Sequence, residues 1–227
     1  MQLEWWWWPS ESPNFNPCSQ LLPFVGHFVQ HVLADHPQSG ESLRTLLSCC
    51  PNLQTLTVWG VSRTKSFLPV LQAMPHLARL SAGFQDVLYD ELLFEPFSNL
   101  THLGILSFNG DSWEGHWEIL THLPKLTHLL ITYDIHPAVA SKLLLLCPLL
   151  KVMIVVAMLP SYVKDGLEIV DDNRFVLLKS LTSSSLVEDW EKGANGGVDR
   201  WFFCELIVVF ARRSEYSFGS SFAQLLY

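Results

Sequence analysis

One short pattern recurs along this chain at intervals of about two dozen residues. Five clear copies share the pattern L-x-x-L-x-(V/I/A), with methionine in place of the second leucine in the last, and they occupy residues 51–58, 75–82, 98–105, 124–131 and 148–155. A weaker copy lies upstream at residues 27–34. A unit of this length cannot bury its own apolar side, so the copies must stack on one another to form a core.

Each copy has the character of a short β-strand, in which alternate side chains point into the core and out of it. Stretches with apolar residues at helical spacing precede most copies, and a proline then ends the helix. These predicted helices are Ser42–Cys50, Ser66–Met74, Glu91–Phe97, Trp113–Leu123 and Ala138–Cys147. The sequence therefore predicts an α/β fold, a leucine-rich-repeat-like solenoid with parallel strands on a concave face and helices on a convex face.

The pattern divides the chain into four parts. Residues 1–20 form an irregular leader rich in Trp, Pro and Ser, and residues 21–170 form the repeat array. Residues 171–213 form a C-terminal cap, with a strand at 174–178 and helices at 186–194 and 198–213 on either side of Gly196-Gly197. We expect the second helix to seal the last repeat, and residues 214–227 form a tail.

Composition limits the function classes. Apolar residues make up 49% of the chain and the net charge is -8, which favours a large core and argues against binding a nucleic-acid backbone. Five cysteines, with Cys49 and Cys50 adjacent, make a poor disulfide framework, so we expect an intracellular protein, cytoplasmic or nuclear, with no membrane span. Cys50 and Cys147 share one position of the repeat, which indicates small buried thiols rather than zinc ligands.

The third position of the L-x-x-L pattern should project from the concave face. Read across the first five copies, these candidate protein-binding residues are His31, Thr55, Arg79, His102 and His128. The six copies contain no Asp or Glu. Three interpretations are open: a merely tolerant polar face, a positively biased face for an acidic or phosphorylated peptide, and a His–His metal site that lacks a third ligand.

A second candidate patch consists of aromatic residues just beyond the strands. Its members are Trp59, Phe84, Phe108 and Tyr133. Aromatic side chains beside a binding face suit interface anchors, although the same residues could close the top of the core.

No catalytic motif is present: the chain lacks a Walker A loop, a G-x-S-x-G elbow and an H-E-x-x-H helix. We therefore expect a non-enzymatic module that binds a protein or peptide on its concave face, without cofactor or metal.

The repeats, together with Asp172–Val176, Asp189–Ala194, Gly196-Gly197 and Trp201, resemble the F-box/leucine-rich-repeat-like proteins of mushroom-forming fungi. The resemblance covers roughly residues 20–213. It implies the alternative function of substrate recognition in an F-box-type ubiquitin ligase subunit. Because residues 1–20 contain no L-P-x-E-type segment, the F-box itself is expected to be absent, and we expect no direct binding of the ligase adaptor by this chain.

Overall fold

Parallel strands follow one another in chain order across a single sheet. The computed structural model describes residues 6–8, 24, 26–35, 40–60, 64–84, 95–107, 117–132, 135–157, 170–179 and 183–213. Within these residues, eight strands pair in the order β1 to β8, and every pairing is parallel. The strands are β1 (Trp6–Trp8), β2 (His31–Asp35), β3 (Thr55–Trp59), β4 (Arg79–Gly83), β5 (His102–Ser107), β6 (His128–Ile131), β7 (Val152–Ala157) and β8 (Phe175–Lys179). The α/β class with parallel strands is confirmed.

The register of the sheet follows the sequence pattern. His31 pairs with Thr55, Thr55 with Arg79, and Arg79 with His102, which in turn pairs with His128. These five side chains define the ladder face of the sheet. The strands occupy the second half of each sequence copy, so the first four residues of a copy form the turn that enters the strand.

Two expectations about the N-terminal part are wrong. His27 lies in a 3-10 helix, Gly26–Phe28, so His27 and His31 do not share a strand. The tight turn is enforced by packing, since a Cβ on Gly26 would lie 1.9 Å from the carbonyl oxygen of Cys49. Within the predicted irregular leader, Trp6–Trp8 pair with β2 as a strand.

The first and last of the predicted connecting helices have the predicted length and are shifted by one or two residues, whereas the second is shorter than predicted. The α-helices are α1 (Gly40–Ser48), α2 (Leu68–Leu71), α3 (Pro137–Leu146), α4 (Ser183–Ala194) and α5 (Arg200–Arg213), and further 3-10 helices span Thr64–Ser66, Glu95–Asn99 and Glu118–His122. The described parts of the predicted helices 91–97 and 113–123 are thus 3-10 turns, and residues 91–94 and 113–116 lie outside the described residues.

The main core lies between the sheet and the helices that connect its strands. Leu56 and Val58 of β3 pack in one cluster with Leu43 and Leu47 of α1, and the same arrangement continues along the sheet as far as β7. The connecting helices therefore cover the face opposite the ladder face. Cys50 and Cys147 are free and buried in this core, and burial raises the pKa of the Cys50 thiol to about 12. They are the small buried thiols that the sequence indicates.

Polar contacts repeat between neighbouring copies. The Asn52 side-chain amide donates to the carbonyl oxygen of His27 at 2.7 Å, and Asn99 donates to the carbonyl oxygen of Pro75 at 3.2 Å. At the end of the array, Arg174 donates to the carbonyl oxygens of Leu144 and Leu150 and pairs with its neighbour Asp172. Side-chain N–H groups thus donate hydrogen bonds to carbonyl oxygens at the ends of helices and turns.

The second C-terminal helix packs on the ladder face of the last two strands, β7 and β8. Cys204 and Val208 of α5 are buried in a second cluster with Ile154 of β7 and Val176 of β8, which lie on the ladder face. The last strands carry apolar residues on both faces, so the ladder face at β7 and β8 needs a cover of its own. Helix α5 supplies that cover.

Within the part of the chain that the structure describes, no helix combines the length and the apolar surface needed to span a bilayer.

Candidate functional site

A cavity of about 360 Å³ lies where the ladder face emerges from beneath the C-terminal helices. The strands β2 to β5 form its floor, and the α4–α5 turn forms its wall. The lining residues that carry polar or aromatic groups are His31, Gln54, Thr55, Thr57, Trp59, Arg79, Ser81, His102, Asp189, Trp190, Asp199, Arg200 and Trp201. We call this the ladder cavity.

The turn between α4 and α5 is built by its glycines. Gly196 has a φ of 72°, a left-handed conformation in which glycine avoids a Cβ penalty. The N–H groups of Gly196 and Gly197 donate to the carbonyl oxygens of Gly193 and Lys192, which ends α4 in a Schellman motif. A Cβ on Gly193 would lie 2.5 Å from Oδ2 of Asp199, so this glycine lets the wall close tightly.

Asp199 joins the wall of the cavity to its floor. Its Oδ1 accepts from the backbone N–H of Phe202 at 2.9 Å, as the N-cap of α5, and its Oδ2 accepts from Nη1 of Arg79 at 3.0 Å. Both carboxylate oxygens are therefore engaged, and Arg79 of the ladder already has an acidic partner.

We expect Asp199→Ala to lower the free energy of unfolding by about 2 kcal/mol, because it removes both the helix cap and a half-exposed charge pair. Asp199→Asn is the matched control, since asparagine caps helices nearly as well but lacks the charge. It should cost about 1 kcal/mol or less. Urea denaturation of both variants measures the difference, and equal losses would show that the cap does not contribute.

Two ladder histidines stack beneath α5. The rings of His102 and His128 are parallel within 2° with centroids 4.1 Å apart, and the Trp201 ring is nearly perpendicular to that of His102, with centroids 5.2 Å apart. The Thr127 hydroxyl donates to the carbonyl oxygen of Thr101 and can therefore only accept from Nδ1 of His128, at 2.9 Å. The Thr101 hydroxyl likewise donates to the carbonyl oxygen of Ala78 and therefore accepts from Nδ1 of His102. Both rings thus carry their proton on Nδ1.

These histidines are neutral at physiological pH. Burial, with the neighbouring His128, Arg79 and Lys151 adding to it, lowers the pKa of His102 to about 2. Burial also lowers the pKa of His128 to about 4, although Glu205 opposes the shift. The rings therefore add no positive charge to the ladder face.

Acidic residues reach the ladder face from α5, outside the repeat. Glu205 lies 3.6 Å from Nζ of Lys151 and 4.0 Å from Nε2 of His128. Together with the Arg79–Asp199 pair, these contacts balance the cations of the ladder. The sequence copies contain no Asp or Glu, but acidic side chains do reach the ladder face in the folded chain. The repeat pattern could not predict these acidic residues, because they come from a helix that is distant in sequence.

Two N–H groups on residues that line the ladder cavity are buried and have no hydrogen-bond acceptor among the described residues. They are Nε of Arg200, whose residue is 4% exposed, and Nε1 of Trp190. Among the described residues, Arg200 forms an ion pair with Asp189, whose Oδ2 lies 3.7 Å from Nη2, which is too long for a hydrogen bond. Burial raises the pKa of Asp189 against the opposing effect of Arg200. Trp190 and Arg200 were not among the predicted site residues, although Trp190 belongs to the string that carries the family resemblance.

The five predicted ladder residues divide into two groups. His31, Thr55, Arg79 and His102 line the ladder cavity, whereas His128 is 5% exposed and covered by α5. The expectation that all five ladder residues are open to a partner is wrong for His128, because the apolar end of the ladder face needs covering.

The aromatic patch does not act as one surface. Trp59 is half-buried and lines the ladder cavity. Phe84 is 2% exposed within the main core, which agrees with the alternative that it closes the core and not with a role as an interface anchor. Phe108 and Tyr133 lie outside the described residues.

An apolar stripe runs along the outer side of α5 and the turn before it. Val198, Phe202, Leu206 and Phe210 are exposed at four-residue spacing, which places them on one side of the helix. The stripe begins at Val198, directly beside the cavity residue Asp199.

No three or more His, Cys, Asp or Glu side chains among the described residues are placed to hold one metal ion. Protein-family models give no match to the chain, and no curated protein matches it significantly.

Proposed function

We propose that this chain is a leucine-rich-repeat-like solenoid that serves as a non-enzymatic interaction module and holds a peptide segment of a partner protein in the ladder cavity. The observation that carries the proposal is the cavity itself. It combines polar strand side chains on its floor with a tryptophan-lined wall in one site.

The regular register supports the solenoid. Each strand pairs only with its neighbours in sequence, and asparagine amides link successive copies at the same position. Repeat arrays of this kind bind their partners on the strand surface. Because α5 covers β7 and β8, the part of that surface left for a ligand is the floor of the ladder cavity.

The exposed stripe on α5 supports a polypeptide partner over a free metabolite. Val198 and Phe202 flank the cavity wall and are 56% and 47% exposed. A contiguous apolar strip beside a polar cavity is typical of protein interfaces.

Four described cysteines are free, which supports a reducing compartment.

A cavity-filling variant tests the proposal. Thr55→Trp places an indole on the cavity floor and should abolish capture of the partner, in pull-downs from the native lysate followed by mass spectrometry. Thr45→Trp is the matched control, because Thr45 is exposed on α1, on the opposite side of the sheet. Thermal unfolding establishes that both variants fold, and an unchanged set of captured proteins with Thr55→Trp would refute the cavity assignment.

The second candidate is substrate recognition in an F-box-type ubiquitin ligase subunit. The observation that favours it is that Trp190, Gly193, Ala194, Gly196 and Trp201, from the string that resembles the fungal family, all line the ladder cavity. A pull-down with the ligase adaptor tests whether this chain recruits it directly. We expect no direct binding, and adaptor binding would assign the recruiting function to this chain.

A further inference from the structure

We infer that the ladder cavity takes the uncharged phenol of a tyrosine side chain, whose hydroxyl donates to Nε2 of His102 and accepts from the hydroxyl of Ser81. Both residues lie on the floor of the cavity, on the neighbouring strands β5 and β4. The tyrosine belongs to the peptide segment of the partner, so this inference rests on the proposed function.

His102 presents a hydrogen-bond acceptor to the cavity. Its Nδ1 carries the proton and donates to the Thr101 hydroxyl, so Nε2 keeps an unshared electron pair. Nε2 has no hydrogen-bond partner among the described residues, and it is not one of the buried side-chain atoms that lack a partner. It is therefore open to a ligand in the cavity that His102 lines. Because burial lowers the pKa of His102 to about 2, Nε2 remains an acceptor at neutral pH.

Ser81 places a hydroxyl beside this acceptor. Ser81 pairs with Gly104, two residues beyond His102 on β5, so the side chains of Ser81 and His102 stand on the same face of the sheet. A Cβ on Gly104 would collide with Oγ of Ser81, so the serine hydroxyl occupies space that a side chain on β5 would otherwise fill. Within the described part of the chain this hydroxyl has no hydrogen-bond partner, and it is not buried. A ligand hydroxyl, which can both donate and accept, suits His102 and Ser81 together.

The charges of the cavity favour an uncharged occupant. Arg79 pairs with Asp199 at 3.0 Å, and Arg200 forms an ion pair with Asp189 at 3.7 Å. The charges of these lining residues cancel, and the neutral His102 adds none. A phosphotyrosine would bring about 1.5 to 2 negative charges to a cavity whose described arginines already have acidic partners. This disfavours the acidic or phosphorylated peptide that the sequence leaves open.

Three tryptophans suit the cavity to an aromatic ring. Trp59, Trp190 and Trp201 line it and are half-buried, so each keeps part of its indole surface uncovered. The Trp201 ring stands nearly perpendicular to that of His102, with centroids 5.2 Å apart, which brings aromatic surface next to the ring that carries the acceptor. Aromatic pairs favour edge-to-face and offset-stacked contacts. A phenol combines such a ring with one terminal hydroxyl, whereas phenylalanine lacks the hydroxyl and serine lacks the ring.

Imidazole NMR tests the inference on the unaltered chain. In ¹⁵N-histidine-labelled protein, His102→Phe identifies the His102 resonances. Titration with p-cresol, the side chain of tyrosine, should move the unprotonated Nε2 resonance upfield and to saturation, because that nitrogen then accepts a hydrogen bond. Toluene, which lacks the hydroxyl, should move it far less, and p-tolyl phosphate should bind more weakly than p-cresol. No saturating shift with p-cresol, an equal shift with toluene, or tighter binding of p-tolyl phosphate would each overturn the inference.

Substitution of the acceptor provides a second readout. His102→Phe keeps a flat ring in the stack but removes Nε2, so the affinity for p-cresol in calorimetric titration should fall about tenfold, as expected for one hydrogen bond. His76→Phe, in the exposed turn before β4, is the matched control and should leave the affinity unchanged. Equal affinities of the two variants would contradict the role of His102.

Ser81→Ala tests the other half of the site and keeps the inference falsifiable if His102→Phe does not fold. It removes one hydroxyl, so the affinity for p-cresol should fall about fivefold while the affinity for toluene stays the same. An unchanged affinity for p-cresol in Ser81→Ala would overturn the assignment of the hydroxyl pair.

A peptide arm identifies the source of the phenol. Acetyl-Ala-Tyr-Ala-amide should shift the Nε2 resonance of His102, whereas the phenylalanine and phosphotyrosine analogues should shift it far less. Binding of p-cresol without binding of the tyrosine peptide would overturn the peptide source. Failure of p-cresol to bind, with capture still lost in Thr55→Trp, would refute this inference alone. Saturable binding of p-cresol, with capture unaffected by Thr55→Trp, would refute the proposed function alone.

Discussion

Replacing Val208 with aspartate should lower the free energy of unfolding by roughly 3–5 kcal/mol, since it buries a carboxylate without a partner in an apolar cluster. Val208 is 2% exposed and packs in one cluster with Ile154 and Val176 of the ladder face. Loss of this contact should also free α5 from the sheet, so the variant should bind the dye ANS more strongly than the unaltered protein.

Phe210→Asp is the matched control on the same helix. Phe210 is 63% exposed, and an aspartate there should change the stability by about 0.5 kcal/mol or less. Chemical denaturation monitored by circular dichroism measures both variants. Equal losses at the two positions would contradict the placement of α5 over the ladder face.

Acidification should destabilise the protein through the stacked histidines. Their folded-state pKa values, about 2 for His102 and about 4 for His128, lie below the ordinary value of 6.5. The unfolded chain therefore binds more protons below pH 6.5, so stability is lost as the pH falls from 6.5 toward 4. The loss should reach roughly 2 kcal/mol per histidine at pH 5.

Asparagine at both positions isolates this effect from the titration of nearby groups. Its side-chain amide can donate to the threonine hydroxyl as Nδ1 does, but it does not titrate. Asp189 has a raised pKa and should oppose the trend in both proteins alike. The His102→Asn/His128→Asn double variant should therefore lose about 4 kcal/mol less between pH 7 and pH 5 in urea denaturation. Identical pH profiles would show that the histidines are not buried as neutral rings.

Much of the sheet could be predicted from the spacing of the repeat. The pairing of His31, Thr55, Arg79, His102 and His128 follows directly from aligning the sequence copies, because parallel strands in register place equivalent residues side by side. The type and length of the short helices could not be predicted in the same way, since periodicity does not distinguish a short α-helix from a 3-10 turn.

The site itself could be predicted only in part. The repeat pattern predicted residues on the floor of the ladder cavity, including Thr55 and Arg79. The wall of the cavity comes from α4 and α5, which are more than 100 residues away in sequence. A sequence pattern carries no information on which face a terminal helix covers. The sequence did contain one signal. In β7 and β8 the side chains on both faces of the strand are apolar, which indicates strands that are covered on both faces.

Site-specific photo-crosslinking tests the central claim most directly. With p-benzoylphenylalanine at Thr55, on the floor of the ladder cavity, irradiation in the native lysate should join the chain to one partner polypeptide. The same photoreactive residue at Thr45, on the exposed side of α1, should give no such product. Crosslinking to the same polypeptide from Thr45 alone, or equally from both positions, would contradict binding in the ladder cavity.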